Sequence, residues 1–168
     1  MAYGVVRTDK LMGTDVRSML ESVKYMGAGS TETAIDNGNV VKLDGTLMTG
    51  EREIKKGVTP AANDALDAIV LIASPEVMYD ERKRNLDEFQ NEAGKTCRGY
   101  HLHSGDIFSV TKDALDGAAS PAVGNVVELK AGVKLNVAAS ATANSTVIGK
   151  IIAIDVVGRY TYYVIQVA

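Results

Sequence analysis

Runs of apolar residues bounded by turn signals dominate the chain, and most have the length and period of β-strands. Gly38–Gly45 (GNVVKLDG) is a short apolar run closed by an Asp-Gly turn signal. Asp67–Ser74 (DAIVLIAS) is continuously apolar, the pattern of a strand buried on both faces. Gly124–Ser140 reads as a hairpin, with Val126, Leu129, Val133, Leu135 and Val137 apolar and the reversal at Ala131-Gly132. The last segment, Lys150–Ala168, reads as a second hairpin pivoting on Gly158. In its return strand Tyr160, Tyr162, Val164 and Gln166 alternate with Thr161, Tyr163, Ile165 and Val167. Gly105–Thr111 is a weaker fifth strand signal.

Two segments carry a helical period instead. Val16, Met19, Leu20, Val23 and Met26 fall on one helical face, with Thr14 or Asp15 as N-cap and Gly27 as stop. In 74–94, Leu86, Phe89 and Ala93 share a face that ends at Gly94, which makes the mixed-charge run Asp80–Glu88 a solvated helix surface. Gly27–Thr33 and Asp116–Gly124 read as loops or arms that order on a partner. The motif Gly-Asn-Val-Val-(Lys/Glu)-Leu occurs at Gly38 and again at Gly124, a recurring turn-then-strand solution, since the flanking residues do not repeat. The expected architecture is mainly β: a β-barrel or β-sandwich with one or two short helices. Residues 1–30 form a flexible N-terminal arm or helix, and 31–168 a single β-rich domain.

Composition narrows the function classes. The 168 residues are 46 % hydrophobic and 23 % charged, the balance of a globular domain able to bury a core. With no Trp and two Phe, the seven Tyr must carry the aromatic packing. A net charge of −3 without a basic tract gives no general attraction to nucleic acid or anionic membrane. The single cysteine, Cys97, forms no intrachain disulfide and no CxxC motif, which suits a reducing compartment. The N-terminus lacks the charged-then-apolar layout of a secretion signal, and no apolar run approaches the ~18 residues of a membrane span.

The chemical inventory is thin. His101 and His103, in RGYHLHSGD, would share one strand face and offer two imidazoles to a metal, as in small metal-dependent β-barrel enzymes. A third ligand is needed, and Cys97, Asp106 and Asp113 stand at no diagnostic spacing; two histidines on a polar strand face is the simpler reading. No Gly-x-Ser-x-Gly elbow occurs, and GAGST lacks the Gly-Lys-Ser/Thr ending of a phosphate loop. The carboxylates of Asp80, Glu81, Asp87 and Glu88 interleave with Arg82, Lys83 and Arg84 as surface ion pairs would. Tyr160, Tyr162 and Tyr163 could stack bases only beside a positive groove, and only Lys150 and Arg159 are near in sequence. These features assign no catalytic, cofactor-binding or metal-binding residue.

Taken whole, the segments TAIDNGNVVKLDG, GEREIKKGVTPAAND, ASPEVMYDERKRNLDEFQNEAGKTCRGYHLHSGDIFSVT and VGRYTYYVIQVA resemble small head proteins of tailed bacteriophages that decorate or cement the capsid. The resemblance covers most residues from Thr33 onward and contains no catalytic element. It implies a mostly β virion protein on the outer capsid lattice, made in the bacterial host cytoplasm. It also implies contact with the major capsid protein and a homo-oligomeric state, trimer or dimer. A head-fibre base or head–tail component is the nearest alternative. The surfaces expected to meet the shell or sister subunits are Val16–Met26 and the terminal Tyr-rich hairpin.

Overall fold

Ile69, Val70, Leu71 and Ile72 are all fully buried, and their alternate side chains enter two different cores. That strand is one of those joining the two layers of the molecule. The computed structural model describes residues 2–168, in which twelve strands and six single-turn 3-10 helices occur. The strands are β1 (Val6–Lys10), β2 (Leu20–Met26), β3 (Val40–Leu47), β4 (Ile54–Val58), β5 (Ile69–Ile72) and β6 (Cys97–His101). They continue with β7 (Ile107–Thr111), β8 (Leu115–Gly117), β9 (Val126–Glu128), β10 (Leu135–Ala138), β11 (Val147–Val157) and β12 (Tyr160–Val167).

Five strands close into a barrel in the order β2-β4-β3-β5-β6, with β6 returning to pair with β2. The β2–β4 pairing is parallel and the other four are antiparallel. The remaining strands form a seven-stranded sheet, β1-β7-β12-β11-β9-β10-β8. Val23, Val41, Val70, Ile72 and Cys97 make the smaller core, inside the barrel. Val40, Ile69, Leu71 and Tyr100 on the barrel's outside pack against Phe108, Val110, Val127, Leu135, Ile148, Ile151 and Ile165 of the sheet, making the larger one. This is why the Ile69–Ile72 run has no polar position: neither of its faces meets water.

The chain is mainly β, as its patterning predicts, and the hairpins fall where expected. β9 and β10 pair antiparallel around Gly132, and β11 and β12 pair from Val157↔Tyr160 onward. Gly158 takes φ +60° at the first position of the two-residue turn, which matches a type II′ hairpin. The two Gly-Asn-Val-Val copies lie in different sheets, yet Gly38 and Gly124 share a left-handed φ, +82° and +91°. What recurs is the turn that starts a strand.

Three expectations are corrected. First, the helical period over 16–26 resolves into a 3-10 turn, Arg17–Met19, followed by strand β2. Pairing with β4 and β6 on both sides fixes β2 as extended, a tertiary demand that outweighs weak local propensity. Residues 1–30 are therefore not a free arm, since β1 pairs with β7 and β2 completes the barrel. Second, 74–94 holds only one helical turn, Leu86–Glu88, fixed by a capping box between Asn85 and Glu88. Three apolar positions give a longer helix too little to bury. The segment is instead anchored at Asn91, whose backbone bridges to Ile35 and whose side chain bonds Asn37. Third, Asp44-Gly45 does not end β3. Asp44 accepts hydrogen bonds from the Thr46 amide and hydroxyl within a bulge, and the strand runs on to Leu47.

Candidate interaction surface

The two histidines sit at the end of β6 beside β2, but they face different partners. His101 Nε2 lies 3.3 Å from Glu21 Oε1, and the same oxygen accepts a 2.6 Å charged hydrogen bond from Lys55. His103 Nε2 lies 3.0 Å from the Met19 sulfur. Asp106 is occupied by backbone, accepting from the Met12 amide and the His103 amide at 2.9 Å each. Cys97 is buried in the barrel interior, where burial, only partly offset by Ser74, pushes its thiol up to about 11. Such a thiol is a poor nucleophile at neutral pH. Asp113 belongs to a separate 3-10 turn, Lys112–Ala114. Among the described residues, no three His, Cys, Asp or Glu side chains converge as a metal site would require.

The mixed-charge run is a loop, and it reaches the terminal hairpin. Asp80 pairs with Arg82, while Glu88 accepts from the Arg84 and Asn85 amides. Asp87 receives Arg159 and the Tyr160 hydroxyl, both at 3.0 Å. The tyrosines are engaged in packing. Arg7 lies 4.5 Å from the Tyr162 ring centroid and pairs with Asp155 at 3.0 Å, while Tyr163 packs against the larger core. The link from Asp87 to Tyr160 spans 73 residues and had no local sequence signal.

What the hairpin leaves open is one edge of β11. Over its first half the strand is flanked on both sides. Val147, Gly149 and Lys150 pair with β9, and Ile151 exchanges hydrogen bonds with Gly124 and Asn125. β9 is three residues long and β11 eleven, so from Ile152 onward only β12 pairs with the strand. Register places Ile154 opposite Tyr163 and Val156 opposite Thr161, on the face that nearer the base carries Ile151 and Ile165. The apolar face of the core thus continues past its cover: Ile154 is 41 % and Val156 74 % exposed. Ile152, Val157 and the neighbouring-loop residue Val123 are exposed as well.

An open strand edge presents unpaired N–H and C=O groups, and proteins usually blunt it with Lys, Pro or a covering loop. Ile152–Val157 contains no Lys or Pro. Its one charge, Asp155, is already paired with Arg7. Such an edge can accept an extended strand or press its apolar face against another surface. The terminal hairpin is a contact region expected from the sequence, but the lopsided exposure along β11 follows from the shortness of β9. Compared with protein-family profiles, with curated proteins and with solved structures, the chain finds no match in any of the three.

Proposed function

We propose that this protein is a structural component of a tailed-phage head, binding the outside of the capsid lattice and clamping neighbouring subunits. The reading starts from the head-protein resemblance of the segments after Thr33. The observation that carries it is the open apolar edge of β11, a surface suited to being covered. The physics favours such a design. Packaged DNA presses the shell outward, and a clamp resists by burying area across a seam. Roughly 1,000 Å² of apolar burial contributes on the order of 25 kcal/mol before ordering costs. Many copies on a lattice then multiply a modest affinity at each site. On this reading the protein makes and breaks no bonds, and its partners are the major capsid protein and copies of itself.

Quantifying this chain against the major capsid protein in purified particles, with a reconstruction of the head, tests the proposal. Many copies at regular lattice positions are expected. A few copies at the neck or tail, or none on the particle, overturn it.

A further inference from the structure

A second surface lies on the barrel, where β2, β4 and β6 wall a groove of about 670 Å³ together with Leu47 and the 74–75 turn. Arg17, Arg52 and Arg98 all line it, and all three are exposed. Of the chain's seven arginines, Arg7, Arg82 and Arg159 are held by carboxylates. Among the described residues the other four, Arg17, Arg52, Arg84 and Arg98, make no ion pair. Three of those four thus gather at one groove of a protein whose net charge is −3. Lys55 on the same wall is already committed to Glu21.

We propose that this groove receives an extended acidic polypeptide segment of a binding partner. Arginine forks match carboxylates in bidentate geometry, and unpaired arginines gathered in one concavity are complementary to several carboxylates along one strand of chain. The exposed Leu47 and Pro75 on the wall offer apolar contact between those charges. A nucleic-acid strand fits less well, because among the described residues no aromatic side chain lines the groove to stack a base. The volume also exceeds what one inorganic phosphate would fill.

The test is fluorescence anisotropy of the full chain with a labelled, end-blocked decapeptide of alternating Glu and Ala. Saturable binding that weakens with added salt is expected. Exchanging Arg17, Arg52 and Arg98 together for Gln should weaken it about tenfold to a hundredfold, from roughly two- to fivefold for each rim pair. Glu53→Gln should tighten it, and Arg82→Gln, outside the groove lining and paired with Asp80, should leave it unchanged. If the triple variant fails to melt cooperatively, Arg98→Gln alone and the gain from Glu53→Gln decide the matter. Absence of saturable binding, an affinity indifferent to these arginines, or tighter binding of an oligothymidylate of equal charge overturns the proposal. It stands apart from the virion reading, because failure here leaves the copy-number test untouched.

Discussion

Both halves of β11 carry large β-branched apolar residues, and these meet opposite fates. Ile148 and Ile151, in the first half, are essentially inaccessible and belong to the larger core. Ile152, Ile154 and Val156, in the second, stand between 41 % and 74 % exposed on the same continuous strand. The difference lies in the neighbours: β9 and the loop before it cover the first half and stop. The same residue types therefore support two tasks. Where a partner strand is built in, it stabilises the fold; where the partner is missing, it is available for association.

Three substitutions bear on that contrast. The largest effect is expected in the covered half. Ile148→Ala opens a cavity in a close-packed core and should lower unfolding free energy by about 2–5 kcal/mol, read by denaturant titration. A loss below about 1 kcal/mol would mean that the covered half is no more essential than the open one.

The next test loosens the cover itself. Glu128, in β9, is almost fully buried and accepts from Asn136 Nδ2 at 2.8 Å, from the Thr142 amide at 2.8 Å and from the Thr142 hydroxyl. Burial pushes its carboxyl upward, but these hydrogen bonds outweigh burial and hold it below the ordinary 4.5. A carboxylate depressed in the folded state contributes stability that is in place above the unfolded value. That contribution is lost as pH falls through the folded one. Glu128→Gln should therefore cost about 1–3 kcal/mol at neutral pH. The gap between variant and wild type should narrow as pH drops below 4.5. A gap independent of pH over that range would show that the charge contributes nothing to holding β9 in place.

The smallest stability effect, and the sharpest functional one, belongs to the open half. Val156→Lys places an edge-protecting charge on an exposed position and should change stability by no more than about 0.5 kcal/mol. Attachment to particles should fall at the same time, measured as copies retained after purification. Unchanged attachment would remove the β11 edge from the contact surface.

Much of this fold is legible in the sequence because some elements declare themselves locally. The unbroken apolar run of Ile69–Ile72 reports burial on both faces, and Gly158 between two β-branched runs reports a hairpin. β1, β2, β4 and β8 carry no such local signal, since each acquires its strand character from partners distant in sequence. Over 16–26 the apolar spacing satisfies a helical period, and the barrel decides otherwise. The surface divides in the same way. The hairpin could be named as a contact region, but the open edge depends on the mismatch between an eleven-residue strand and a three-residue neighbour. The arginine groove is assembled from positions 17, 52 and 98, which no local window contains.

The strand shared by both cores has a mechanical consequence. Ile69 and Leu71 point into one interior and Val70 and Ile72 into the other, so neither layer can loosen without dislodging side chains that the other needs. Barrel and sheet are therefore expected to melt in a single cooperative transition rather than one after the other.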